Sequence, residues 1–226
     1  MSVPVPDPRA IRESNLDELE RLRLPLPPEE FPLVWEPGDE VELRPTAEIE
    51  ARTAVLHLVL ARCFGMPPEA GMSWLLGSHL MEKVTPPEWQ FVVGGRGDHR
   101  SFVLHHDAVF ALAWVLGLTR HLDPTAPTDQ DLMERLPNIA QGETFAEWRS
   151  RTLAAPRPAV ETAAVLDLYY CLDWAYLEAE RTGAPLPGLI DANAIGQRRW
   201  ALEWAVVFRG PFHDEPAGWE EVDLST

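Results

Sequence analysis

A chain of 226 residues with 46% hydrophobic and 24% charged residues has the balance of a globular protein, which excludes fibrous, disordered and membrane-embedded classes. Its 36 acidic and 19 basic residues give a net charge of -17, and such a surface repels phosphate backbones. We therefore expect no direct nucleic-acid binding, whereas a basic protein partner would be attracted.

The first 45 residues contain nine prolines and predict an acidic N-terminal arm. Ser14 begins a Ser-x-x-Asp spacing that can cap a short helix over residues 15–23. The prolines beyond it prevent a helix, so we expect an extended segment that Phe31 and Trp35 hold against the rest of the protein. The remainder, residues 46–226, is predicted to be one helical domain.

Four helices are predicted in the first half of this domain, over residues 46–64, 68–83, 85–93 and 103–118. The third begins at Thr85, where a capping spacing is followed by proline at the first helical position. The last eleven residues of the fourth have no polar side chain, so this helix must be enclosed on nearly all sides.

The second half predicts two short helices opened by the Thr-x-x-acid spacings at 128–131 and 144–147. A long helix follows over residues 159–181, in which thirteen of the fifteen residues from 163 to 177 are apolar. A last helix covers residues 192–208. Strand patterns are weak, so the sequence predicts an all-α fold with two buried central helices.

Six segments, taken in order, resemble a bacterial family known as domain of unknown function 4272 (DUF4272). The resemblance runs from about residue 44 to the end and includes an unusual closing Trp-acid-acid-Val pattern. It implies a helical fold and no known activity. The segments are RPTAEIEARTAVLHLVLARCFGMP, VTPPEWQFV, ALAWVLGLTRHLDP, VLDLYYCLDWA, GQRRWALEW and WEEVDLST.

The sequence also predicts a cytoplasmic location. No apolar stretch follows a basic one at the start, so we expect no signal peptide. The longest apolar stretches, 108–118 and 163–177, are shorter than the roughly 20 residues of a bilayer span. Cys63 and Cys171 lie in apolar helical patterns, which is typical of reduced core thiols.

Several kinds of site have little support in this sequence. The only lysine, Lys83, is not preceded by a GxxxxGK[ST] motif, which excludes a P-loop. The Gly-rich segment 94–98 is not preceded by a predicted strand and is interpreted as a flexible turn. We predict no metal site and no cofactor.

One group of polar residues contains the side-chain types that bind divalent metals, although the adjacent residues His105 and His106 point about 100° apart on a helix. We interpret the group as helix-capping or surface residues; it comprises Asp98, His99, His105, His106 and Asp107.

Two aspartates and two arginines stand out on the apolar C-terminal helices. Asp167, Asp173, Arg198 and Arg199 either form an internal ion pair between the helices or line a pocket for an anionic ligand. Because six positions separate the aspartates, they lie about 120° apart around the helix and form no catalytic dyad.

Two functions from different classes agree with these patterns. The preferred one is a non-catalytic binding or accessory protein that engages a protein partner or a second copy of itself through its acidic surface, with Phe31, Trp35 and Trp219 as aromatic anchors. The alternative is a small-molecule enzyme or ligand-binding protein with a polar Asp/Arg pocket between the C-terminal helices.

Overall fold

A computed structural model describes residues 7–129, 131–211, 213 and 215–225. It confirms the predicted all-α class, since most of these residues are helical and the strands form one two-stranded sheet. In chain order the elements are α1 (Pro8–Arg21), β1 (Glu40–Leu43), α2 (Thr46–Cys63), α3 (Pro68–Gly77), α4 (Pro86–Gly94), α5 (His99–Val115), α6 (Leu132–Arg135), α7 (Phe145–Thr152), α8 (Ala159–Thr182), α9 (Ala192–Ala205) and β2 (Val206–Arg209), with 3-10 turns at Met81–Lys83, Ile139–Gln141 and Trp219–Glu221.

The described residues fall into two compact units. The first is drawn from residues 7–44, 123–127 and 157–225, and the second from residues 45–122 and 128–156. Each unit therefore contains one of the two long apolar helices predicted to be central.

Helix α8 is the centre of the first unit. It packs against α1, α9 and β1. Leu166, Tyr169 and Leu172 are fully buried along it. Burial of an aliphatic or aromatic side chain of this size contributes roughly 1.5–3 kcal/mol, so these contacts stabilise the helix far more than intrinsic propensity does.

The sheet of the first unit joins two segments that are distant in sequence. Strands β1 and β2 are antiparallel, with Leu43 opposite Val206 and Glu40 opposite Arg209. Residues 206–208 were predicted to belong to the last helix, and that prediction is wrong. The backbone leaves helical geometry at Val206, where ψ is 138°, and pairs with β1 instead.

Helix α5 is the centre of the second unit. It packs against α2, and every residue from 108 to 116 is buried. The helix begins at His99 rather than at residue 103, because the Asp98 carboxylate accepts a hydrogen bond from the backbone N–H of Arg100 at 3.0 Å. The buried helix predicted over 103–118 is thus present with an earlier start.

Two other predicted boundaries are wrong for local reasons. Helix α1 begins at Pro8, not at residue 15, because Asp7 caps it and proline is favoured at a first helical position. Helix α3 ends at Gly77, since His79 has a φ of 56° and the chain continues into a 3-10 turn.

No helix among the described residues is long and apolar enough to cross a membrane.

The negative charge lies mostly in the first unit. The sequence of that unit contains 24 acidic and 10 basic residues, a net charge of about -14 by formal count, and the second unit contains 12 acidic and nine basic residues. Three of the ten basic residues of the first unit, Arg12, Arg198 and Arg199, are buried. Three of its acidic residues, Asp39, Asp167 and Asp173, are buried as well, so burial leaves the balance of charge at the surface unchanged.

Candidate functional site

The four charged residues singled out in the sequence all lie inside the first unit. Asp167 and Asp173 are on α8, Arg198 and Arg199 are on α9, and their exposed fractions run from 0% to 6%. A buried charge is costly unless it is paired and hydrogen bonded, so the partners of each group decide its role.

Asp167 pairs with α1 rather than with α9. Its carboxylate accepts hydrogen bonds from Arg12 Nη2 at 2.6 Å and from Arg12 Nε at 3.0 Å, and Asn15 Nδ2 donates to it at 2.9 Å. Arg12 also donates to the carbonyl oxygens of Phe31 and Pro32. The pair therefore joins α1, the arm and α8 through one buried guanidinium.

Asp173 and Arg199 form an ion pair between α8 and α9, with Arg199 Nη1 2.6 Å from Asp173 Oδ2. The guanidinium also donates to Glu203 at 3.3 Å and to the carbonyl oxygen of Leu224 at 3.1 Å. Burial raises the pKa of both Asp173 and Glu203, and the charge of Arg199 opposes that rise. The two aspartates thus contact different arginines, which follows from their separation around α8.

Arg198 contacts a short loop of the same unit. Its guanidinium donates to the carbonyl oxygens of Asp123 at 2.7 Å and Ala126 at 3.0 Å, and it lies 3.4 Å from the Tyr169 hydroxyl. These bonds hold the loop against α9. In all four residues, the charged group is thus hydrogen bonded to other groups of the protein rather than to a ligand.

Phe31, one of the predicted partner-binding aromatics, packs on α8. Its ring centroid lies 4.7 Å from that of Tyr170. Arg12 and Arg199 also approach the Tyr170 ring, at 5.8 and 4.6 Å from its centroid. Phe31 is half-buried and, as the sequence predicted, holds the arm against the unit.

The other two predicted anchors are enclosed. Trp35 is 2% exposed and stacks on Phe208 of β2 with centroids 5.5 Å apart. Trp219 is 5% exposed and lies between Trp200 and Trp204, at 5.5 and 5.6 Å. Their role in partner binding stays a prediction, and in this conformation their rings contact their own unit.

The histidine and aspartate group around α5 is spread over different environments. Asp98 caps the helix, His99 Nε2 lies 3.1 Å from the carbonyl oxygen of Cys63, and His105 is 7% exposed. Asp107 accepts a hydrogen bond from Thr128 at 3.3 Å. Within the described ranges, no three His, Cys, Asp or Glu side chains are arranged to hold a metal ion.

A cavity of about 1090 Å³ opens on the second unit. We call it the α2 groove. It is lined by His57 and Ala61 of α2, by Met66, by residues 133–134 and 136–143, and by Glu147 and Arg151 of α7. Pockets for drug-sized ligands measure about 300–1,000 Å³, so this cavity lies at the upper end of that range.

A comparison with family models places the chain. The model described as a domain of unknown function, DUF4272, matches residues 11–222. The chain belongs to the DUF4272 family. The match begins well before residue 44, where the resemblance seen in the sequence began, and so includes most of the N-terminal arm. No curated protein and no solved structure matches this DUF4272 chain.

The wall of the α2 groove in this DUF4272 protein contains one unusual polar side chain. His57 Nε2 lies 3.0 Å from the carbonyl oxygen of Pro137, and since a carbonyl only accepts, Nε2 carries the proton. His57 Nδ1 is buried and has no hydrogen-bond partner among the described residues. Burial, with a smaller contribution from nearby His106, lowers the pKa of His57 to about 4. The imidazole is therefore neutral at physiological pH.

The rim of the groove is acidic. Glu134 and Glu147 are exposed, and Glu143 is bound by Arg151, whose Nη2 lies 3.0 Å from Glu143 Oε2. Arg151 is the only basic side chain other than neutral His57 among the lining residues. This site could not be predicted from the sequence, because its residues follow no local motif and α2 meets residues 133–143 only through the fold.

Proposed function

We propose that this DUF4272 protein is a non-catalytic binding protein that engages a protein partner, and that the α2 groove is its docking site. The groove supports the proposal because it combines an apolar floor, which includes Met66 and Met133, with an acidic rim. Methionine fills irregular spaces and is common at surfaces that bind other proteins. Met133 is 42% exposed, so apolar area is available to a partner.

Charge favours a different protein over a second copy as the partner. A second copy would carry the same net charge of -17, and like charges across an interface oppose association. A basic partner would instead be attracted, and its rate of encounter would rise at low salt.

The alternative function, a small molecule bound by the Asp/Arg set, has less support. Neither the α2 groove nor a cavity of about 360 Å³ that borders Glu203 is lined by Asp167, Asp173, Arg198 or Arg199. Their charged groups already contact protein partners.

Site-directed photo-crosslinking in cells of the native host tests the proposal. A photoreactive residue replaces Ala140, which is exposed and lines the groove, or Ala146, which is exposed on α7 and does not line it. We expect a discrete crosslinked product at position 140 and none at position 146. An adduct of twice the mass of the chain would identify a second copy as the partner, and equal crosslinking at the two positions would refute docking in the groove.

A further inference from the structure

The geometry points to a cationic amphipathic helix, supplied by the partner protein, as the occupant of the α2 groove. This inference rests on the proposed function and specifies its partner. Three observations support it: the apolar residues that line the groove, the negative charge of its rim, and the hydrogen bonds already made by the backbone of residues 136–143, which form its wall.

The floor requires an apolar face on the occupant. Ala61, Leu136, Pro137 and Ile139 line the groove together with the two methionines. A helix presents apolar side chains at positions i, i+3, i+4 and i+7 as a continuous stripe, and such a stripe can pack on the apolar residues of a groove.

The acidic rim requires positive charge on both sides of the occupant's apolar face. Glu134 and Glu147 are exposed at the groove, and Arg151 is already paired with Glu143. Because His57 is neutral at physiological pH, it adds no opposing charge. Lysine or arginine side chains flanking the apolar stripe would therefore meet carboxylates.

The backbone of the wall favours a helix over an extended peptide. An added strand needs unpaired N–H and C=O groups at the surface that it joins. Along the wall, the N–H groups of residues 138, 139, 141, 142 and 143 all donate within the segment 137–143. The carbonyl oxygen of Leu136 accepts from Arg151, and that of Pro137 accepts from His57. These residues therefore offer few free N–H groups to an added strand, which favours an occupant that satisfies its own backbone, as a helix does.

Defined peptides and the full chain test the inference by fluorescence anisotropy. The probe is a labelled 14-residue peptide of leucine and lysine with leucine at helical spacing. Glutamine or glutamate replaces lysine in two comparison peptides, and a third has the leucines and lysines scrambled. We expect the Leu/Lys peptide to bind at least about tenfold more tightly than the other three, and binding to weaken several-fold between about 50 and 500 mM NaCl.

Matched variants locate the binding. Ala140→Trp fills the groove and is expected to weaken peptide binding at least about tenfold, whereas Ala146→Trp leaves it unchanged. Glu134→Gln is expected to weaken binding about threefold, and Glu69→Gln, an equal charge change at an exposed position outside the groove, has little effect. Spermine, which has charge and no apolar face, should not displace the peptide at equal concentration.

Each contrary result has a distinct meaning. Equal binding of the scrambled peptide, or of the neutral Leu/Gln peptide, overturns the cationic helix as occupant. Binding that Ala140→Trp leaves intact would place the peptide on the general acidic surface and overturn the inference. If no peptide binds while crosslinking at position 140 succeeds, the partner is not a cationic helix and the proposed function stands.

Discussion

The neutral state of His57 makes a quantitative prediction about stability and pH. In the unfolded chain a histidine titrates near 6.5, whereas burial in the folded protein lowers the pKa of His57 to about 4. As the pH falls below 6.5 the unfolded state takes up a proton that the folded state refuses. The stability contributed by neutral His57 is therefore complete above about pH 6.5 and is lost as the pH falls toward 4.

The size of this loss follows from the two pKa values. A tenfold difference in protonation is worth about 1.4 kcal/mol, and at pH 5 the unfolded histidine is about thirtyfold biased toward its protonated form. The folded protein should thus lose about 2 kcal/mol between pH 7 and pH 5 through this residue alone. His57→Gln removes the titration and retains an amide N–H that can donate to the Pro137 carbonyl.

Urea denaturation at pH 7 and pH 5 measures the effect. We expect the difference in the free energy of unfolding between the original chain and His57→Gln to change by about 2 kcal/mol across this interval, because other titrating groups cancel in the comparison. His121→Gln, which replaces an exposed histidine, is the matched control. A His57→Gln difference that is the same at both pH values would refute the argument from burial.

Two further pairs of substitutions test the internal structure of the units. Asp167→Asn leaves the buried Arg12 guanidinium without its carboxylate and is expected to lower the free energy of unfolding by about 3 kcal/mol. Glu178→Gln, at an exposed ion pair, is the control and should change it little. A cost below about 1 kcal/mol for Asp167→Asn would contradict the role given to the pair. Gly117 and Gly142 have φ of 75° and 76°, but a Cβ at Gly117 would lie 2.4 Å from the Ala155 carbonyl oxygen and one at Gly142 would meet nothing within 4 Å. Thermal denaturation should therefore show a larger loss of stability for Gly117→Ala than for Gly142→Ala. For Gly142→Ala only the backbone strain of about 1–2 kcal/mol is expected. Equal losses of stability would argue against the close approach of Gly117 to Ala155.

Helices were predictable where a local signal had no competitor. Thr85 and Thr144 both form capping boxes, with Glu88 and Glu147, and the helices begin where the spacing indicates. The third such spacing, at Thr128, fails because its hydroxyl donates to Asp107 on α5, and α6 begins only at Leu132. The Thr128 hydroxyl thus bonds to a residue distant in sequence instead of capping the helix that the spacing predicted.

The sheet and the site depend on contacts that no local pattern records. Strand β1 is four residues long, and its partner β2 lies at the end of a helical pattern near the C terminus. The buried pair of Arg52 and Glu88 likewise joins α2 to α4 without any motif. Charged residues stand out in apolar helices, so the sequence singled out Asp167, Asp173, Arg198 and Arg199 as a group. Asp173 and Arg199 pair with each other, whereas Asp167 pairs with Arg12, which the sequence did not single out.

The difference between local patterns and contacts made by the fold also explains why the candidate site is the α2 groove and not the predicted Asp/Arg set. Charged residues within apolar helices attract attention, yet their burial requires internal partners, and Arg12, Arg198 and Arg199 each contact several protein groups. Exposed apolar residues such as Met133 are inconspicuous in a sequence, but their exposure leaves area that a partner can bury. In this DUF4272 chain the buried charges are paired within the first unit, and the acidic rim around exposed apolar side chains of the second unit is the feature on which we base the proposed docking.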